Sequence, residues 1–470
     1  MIRLIAHARA LLGGRFGHGI RLAAAFAAGL ALSGAAIQPA AAQGRSFTII
    51  RDAETESLLR SIYGPLFAAA GLSRGFVRVT IIRDRSINAF VTTGNRMFIH
   101  TGLLMQATSV EEVAGVLAHE TGHVVGGHIA RLPEEMRNAM IRSVAAMLIG
   151  AAAAVATGQG QAAGVGAIAG QSMALREFFS FTRTQENAAD LTAVNLLQRV
   201  GWPVDGLVQL MERLLAQELM IADRQDPYMR THPLTRDRID FLKGQIAARG
   251  SDGTLPPQME PQFAMVRAKL YGFLEPGTSV NRAFPASDTS EPARYARAIQ
   301  SFRLGRTDEA IAELDRLIAA RPTSPWLHEV KGQILFEGGG RVREAIGPYR
   351  EAVRLAPAEP LIRAGLARVL ATLDEPAQLR AAASEAEAAL RQDRTLALAW
   401  NTLGMARGRL GEEGLAALAL AEEAALVGDL LTQRQMAQRA ERLLPAGPGR
   451  LRAQDLLNAA QIEREERRRR

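Results

Sequence analysis

The spacing of apolar positions divides the chain into segments of different kinds. From Glu54 to Leu72 they recur at helical intervals, whereas Phe76 to Ile82 (FVRVTII) is rich in β-formers. Asn88 to Leu104 reads as two short strands around Thr92-Thr93-Gly94-Asn95. From Ser109 onward the pattern is helical. Ser109 and Glu112 have capping-box spacing, and Glu111 and Glu112 lie at the positive end of the helix dipole. The pattern predicts one long helix from Val110 to about Leu132, stopping before Pro133, and another from about Met173 to Val200, closed by Gly201.

Between those two helices, residues 143–175 hold no charged side chain and are mostly Ala and Gly. The run is long enough to cross a bilayer. Ala and Gly transfer weakly, however, and Thr157, Gln159 and Gln161 interrupt it, so a close-packed helical hairpin or a flap is expected. Peripheral membrane contact through 143–175 stays open. Residues 245–290 contain a polar, Pro-rich stretch, a short helix (Phe263 to Phe273) and a second loop (Glu275 to Glu291), which marks a domain boundary.

Beyond the boundary the pattern repeats. Ala310, Leu314, Leu317 and Pro322 have the same offsets as Ala345, Tyr349, Ala352 and Pro357, with a degenerate third set at Ala382, Ala386 and Ala389. Trp400, Leu403, Gly404 and Ala416 open a fourth. The period, near 34 residues, is that of tetratricopeptide repeats, in which small residues let paired helices approach and stacking buries a continuous core. Residues 428–462 are expected to form a capping helix pair, and Gly338–Gly340 an inserted loop. The expected fold class is α+β, mainly α-helical: a domain with a small β-sheet, followed by an α-solenoid of these repeats. The segments are 1–42, 43–275, a linker at 276–291, repeats at 292–462 and a charged tail at 463–470.

Composition narrows the chemistry. The 470 residues include no Cys, which excludes a disulfide framework, a Cys nucleophile and thiolate metal sites. A metal would be held by His and carboxylates. The net charge of +8 invites a nucleic-acid reading, but its location argues otherwise. Arg3, Arg9, Arg15 and Arg21 precede or open an apolar run ending at Leu32, and Pro39-Ala40-Ala41-Ala42-Gln43 offers a small-x-small cleavage site. These are the parts of a secretory signal peptide, cut after Ala42. Arg467 to Arg470 carry four more charges at the other end. The body between is nearly balanced, and no nucleic-acid partner is expected.

The chemistry concentrates at His119-Glu120-Thr121-Gly122-His123, an HExxH motif. On a helix its two histidines lie one turn apart and can face one ion, with Glu120 beside them to accept a proton. A catalytic site needs a third ligand. His128 on a continuing helix points about 180° from His119, which makes it a structural residue or a support for a ligand. Glu186 is the better candidate, one turn from Asp190 in Glu186-Asn-Ala-Ala-Asp190, a spacing that lets Asp190 accept the second ring N–H of a ligand His.

HETGHVVGGH, ENAAD some 60 residues on, and Thr231-His232-Pro233-Leu234 followed by Arg238-Ile239 resemble the HtpX/Oma-type gluzincin metallopeptidases. The signal peptide and repeats narrow the resemblance to BepA-like periplasmic proteases. It implies one zinc held by His119, His123 and Glu186, Glu120 as general base, and Asp190 behind a ligand histidine. His232 would cap the zinc or stabilise the oxyanion, and Arg238 would orient His232 or bind substrate. Asn88, Ala89 and Phe90 would offer a strand edge to an extended polypeptide substrate. The implied role is envelope quality control, degrading or assisting outer-membrane proteins, with the repeats recruiting substrate or assembly machinery. A chaperone whose metal site is normally held shut is the alternative.

Overall fold

The β-rich segments pair as their alternation requires. In the computed structural model, which describes residues 48–132, 134–138, 140–141, 145, 182–216, 228, 232–250 and 253–469, four strands form one sheet. They are β1 (Ile49–Ile50), β2 (Arg78–Ile82), β3 (Ala89–Thr92) and β4 (Arg96–His100), in the order β1-β2-β4-β3. β1 and β2 are antiparallel, β2 and β4 parallel, and β3 and β4 antiparallel. The turn between β3 and β4 places Gly94 and Asn95 at φ 77° and 55°, a backbone those two residue types tolerate best. Ala89, Val91, Met97 and Ile99 face the core, while Phe90 stacks on Phe98 on the other face. β3 is a sheet edge. Residues 101–104, expected to extend the second strand, instead begin helix α2 (Thr101–Gln106).

Two helices bury the sheet. Helix α1 (Ala53–Ala69) is capped by the Asp52 carboxylate, and α3 (Val110–Gly126) by the Ser109 hydroxyl. The motif helix is shorter than expected. Gly127, in a left-handed conformation (φ 61°), ends it, and residues 128–132 start a new helical turn in another direction. Pro133 itself lies outside the described residues, and 134–138 are helical beyond it. Residues 182–199 form α4, followed by α5 (Asp205–Leu215) and α6 (Arg236–Arg249). The signal peptide at 1–42, the run 143–175 apart from residue 145, and the first part of the Met173–Val200 helix lie outside the described residues.

No extended linker occupies 276–291. Helix α7 (Met259–Leu274) leads directly into α8 (Gly277–Ala283) and then into the repeats. Because α7 is apolar on two sides, it serves both cores: Phe263, Val266 and Leu270 join the core under the sheet, and Met265 and Ala268 join that of the repeats.

Five antiparallel helix pairs follow. They are α9 (Glu291–Arg303) with α10 (Thr307–Ala320), α11 (Pro325–Glu337) with α12 (Val342–Leu355), α13 (Pro360–Ala371) with α14 (Pro376–Gln392), α15 (Ala397–Arg409) with α16 (Glu413–Val427), and α17 (Leu430–Leu443) with α18 (Pro448–Arg469). The repeated small and apolar positions are the buried ones: Ala310, Leu314 and Leu317, then Ala345, Tyr349 and Ala352, then Ala382, Ala386 and Ala389. Tyr349 is wedged between Gly332 and Gly365, where an added Cβ would lie 2.6 and 2.7 Å from its ring. Gly338–Gly340 belongs to an ordinary turn within a pair rather than an insertion. The charged tail is continuous with the last repeat helix, since α18 stays helical to Arg469.

The sheet-bearing core and the repeats meet through a buried ionic cluster. Lys269 of α7 is 2% exposed, and its ammonium lies 2.6 Å from Asp52, 3.1 Å from Glu329 of α11 and 3.6 Å from Glu54 of α1. Tyr295 of α9 donates its hydroxyl to Glu54 at 3.1 Å. Arg51 pairs with Asp393 at 2.8 Å, and Arg60 with Glu359, so the α1 side is held along several repeats.

Candidate active site

The motif helix is positioned by a close approach. At Gly122 a Cβ would lie 2.7 Å from the Ala189 carbonyl, so α3 and α4 come together at a distance only glycine permits. That contact sets Glu186 and Asp190, one turn apart on α4, against His119 and His123, one turn apart on α3. The loop before α6 delivers His232, and the first turn of α6 delivers Arg238. The first four, together with Glu120, His232 and Arg238, are buried.

Four donor groups converge. His119 Nε2 lies 3.1 Å from His123 Nε2 and 3.3 Å from His232 Nδ1. Glu186 oxygens lie 3.4 Å from His119 Nε2, 3.4 Å from His123 Nε2 and 3.3 Å from His232 Nδ1. All four groups offer ligand atoms within 4.8 Å of one another. Ligands at ~2.0–2.1 Å from a tetrahedral metal ion sit about 3.3 Å apart. The separations therefore match the edges of a four-coordinate metal site. Imidazole nitrogens aimed at each other at such distances repel unless protons or a cation lie between them, so the donor set fits a metal.

A charged frame surrounds the donors. His119 Nδ1 bonds to Asp190 at 2.8 Å. Arg238 forks onto both Asp190 oxygens at 2.8 and 2.9 Å, touches Glu186 at 2.9 Å and donates to the Pro233 carbonyl beside His232. Burial opposes the charged form of His119, but Asp190 and Glu186 outweigh it and push its pKa up to about 10. Glu186 is held well below the usual carboxylate range despite burial, through His119 and His232. His123 is driven well below the ordinary imidazole value by burial and by the charge of His119. It thus presents a free nitrogen lone pair.

Glu120 is the exception in this frame. It is fully buried, and neither carboxylate oxygen has a hydrogen-bond partner among the described residues. His232 Nε2 approaches Oε1 to 3.2 Å without hydrogen-bond alignment. Burial raises its pKa, with His232 and His119 opposing. A desolvated carboxyl with unused acceptors at a cationic site is what a general base for a water nucleophile requires.

Of the substrate-strand residues, Asn88 and Ala89 are buried and Phe90 lies on edge strand β3. One neighbour of the site escaped sequence reasoning, and the direction of another was misjudged. Tyr228 packs its ring against His232 (centroids 4.7 Å apart, planes tilted by 32°), and nothing in the motif spacing marks it. His128 does not point away from the motif. The break at Gly127 turns it back onto His123, with the two Nδ1 atoms 2.9 Å apart.

Comparison with known proteins agrees with this geometry. Residues 52–246 match the family model for peptidase family M48. The chain is 27% identical over 361 residues to the beta-barrel assembly-enhancing protease of Escherichia coli O157:H7, covering 74% of this chain and 71% of that one. It is 29% identical over 178 residues to the mitochondrial metalloendopeptidase OMA1 of Schizosaccharomyces pombe, covering 37% and 48%. It is 26% identical over 175 residues to the metalloprotease LoiP of Escherichia coli K12, covering 37% and 64%. The converging histidines and carboxylates lie inside the matched span: residues 52–246 form a peptidase M48 domain, the metalloprotease part of the chain.

Proposed function

We propose that the chain is a zinc endopeptidase of the periplasm whose active site rests in a capped state. The observation that carries this reading is the set of separations among His119, His123, Glu186 and His232, which supports three permanent ligands and His232 in the fourth position. An imidazole and carboxylate donor set suits zinc. Export is supported by the Arg-flanked apolar segment at 1–42, and among the described residues no helix is long and apolar enough to cross a membrane. The named activity of the beta-barrel assembly-enhancing relatives supports outer-membrane proteins as substrates, with the repeats recruiting them or the assembly machinery.

When bound, zinc would polarise the attacking water and the scissile carbonyl. The protein supplies the rest. Asp190 holds His119 with its Nδ1 proton turned away from the ion, and Arg238 fixes Asp190. Glu120 takes a proton from the water and returns it to the leaving amine. The buried walls exclude bulk water, which strengthens each electrostatic contact. Edge strand β3 would pair with an extended substrate through backbone hydrogen bonds. His232 must leave the fourth position for water to enter, and a chaperone-like resting state follows from its staying there.

His232→Ala tests the cap. Purified with zinc, the variant is expected to cleave casein faster than wild type, by about tenfold if one molecule in ten is open at rest. A fall of ~10²–10³-fold would instead make His232 a donor to the oxyanion. Asp190→Asn keeps the shape but removes the charge that holds His119 and Arg238. Chelator competition is expected to show zinc bound about 10–100-fold more weakly, and unchanged affinity would remove Asp190 from the metal's support.

A further inference from the structure

We infer that His128 is a positioning residue that fixes the tautomer and ring orientation of His123. This rests on the reading that His123 is a metal ligand. A histidine ligating through Nε2 in its neutral form carries its proton on Nδ1. That N–H needs an acceptor, and metal-bound histidines usually find one in a carboxylate or a backbone carbonyl. His119 has Asp190. For His123 the acceptor is the Nδ1 lone pair of His128, 2.9 Å away, with the rings edge to face at 81°. His128 must then carry its own proton on Nε2, and the two rings lock each other's tautomers.

Two glycines of the backbone build this contact, and burial protects it. On an unbroken helix, positions 123 and 128 would lie about 140° apart. The left-handed Gly127 breaks the helix between them and turns His128 back. Gly126 leaves room for its ring, since a Cβ there would lie 2.2 Å from His128 Nε2. His128 is itself buried, 6% exposed, so water does not compete freely for the bond. The two ligand histidines thus have unlike supports. An anion backs His119, and a neutral ring backs His123, leaving the latter the less basic ligand.

The test uses the purified chain and zinc, titrated against a chromophoric chelator, with melting of the metal-free forms recorded in parallel. His128→Leu fills the space without an acceptor and is expected to weaken zinc binding about 10–100-fold, with metal-free melting unchanged. Gly126→Ala retains His128 but displaces its ring, and is expected to weaken zinc in the same direction. His128→Asn can place its Oδ1 where Nδ1 stands, and is expected to bind zinc nearly as wild type does. The inference is overturned if His128→Leu and Gly126→Ala hold zinc as tightly as wild type, or if His128→Asn loses as much as His128→Leu. His123→Ala, run alongside, separates the two readings. Wild-type affinity in that variant would sink the ligand assignment rather than the role of His128.

Discussion

Glu120→Gln is expected to lower the rate of casein cleavage by about 10²–10⁴-fold, the usual share of a general base, while zinc content and melting stay at wild-type values. The expectation follows from its surroundings. The other carboxylates and His119 are engaged: His119 by Asp190, Asp190 by Arg238, and Glu186 by Arg238 and three histidines. Glu120 alone keeps both oxygens without a hydrogen-bond partner among the described residues, in a fully buried position. An amide of the same shape fits that space without disturbing a bond, so the fold has no reason to respond. The amide cannot take a proton from water, so the chemistry does. Single-turnover cleavage by metal-loaded variant and wild type is the measurement. Normal cleavage by Glu120→Gln would leave the proton transfer without an agent and refute the mechanism.

Lys269→Met is expected to cost about 3–5 kcal/mol of stability near pH 8, because breaking a buried ion cluster leaves its partners uncompensated. Burial works against the ammonium, but Asp52, Glu329, Tyr295 and Glu54 hold it well above its usual pKa. On the acidic side, burial pushes Glu54 up to about 7 and raises Glu329, both against the pull of Lys269, whereas Asp52 stays below its usual value. In the variant the Lys269 charge, the largest opposition to burial at Glu54 and Glu329, is gone, so their folded pKa values rise further. A carboxyl raised in the folded state binds protons more tightly there than in the unfolded chain. Its unfavourable effect is absent below the unfolded value and grows as pH climbs toward the folded one. The deficit of Lys269→Met is therefore expected to shrink toward pH 5. Urea unfolding of both proteins at pH 5 and pH 8 checks this, and an equal deficit at both values would deny that the carboxylates are the cause. Since the cluster joins α1 and α7 to α9 and α11, the same experiment reports on how firmly the peptidase core is held to the repeats.

Much of the site was legible along the chain because helical spacing is local. His119, Glu120 and His123 share one helix, as do Glu186 and Asp190, and the 3.6-residue period alone says that each set shares a face. The repeats were legible for the same reason, since each helix pair contacts mainly its neighbours and the packing rule recurs with the sequence. The two-strand pattern around Gly94 and Asn95 needed only turn chemistry. By itself, then, the sequence determined the donor chemistry, the helices that carry it and the repeated architecture behind it.

Other features depend on contacts between distant residues and became visible only in three dimensions. A helix continued past Gly127 turns His128 away from the motif. The left-handed residue reverses that, and glycine at a helix end is too common to announce a functional bend. Lys269 looks like any lysine on a helix, and only the convergence of α1, α9 and α11 buries it. Where a linker was expected at 276–291, helix α8 stands with Val280 and Phe284 buried in the core of the repeats, and just before it apolar residues on two sides of α7 join the two cores, a pattern that a single amphipathic period does not anticipate. The place of His232 belongs to the same class. Sequence left His232 between two roles, and the tertiary structure places its Nδ1 3.3 Å from both His119 and Glu186. Local periodicity fixes which atoms a helix can present, but the approach of one helix to another decides which of those atoms meet.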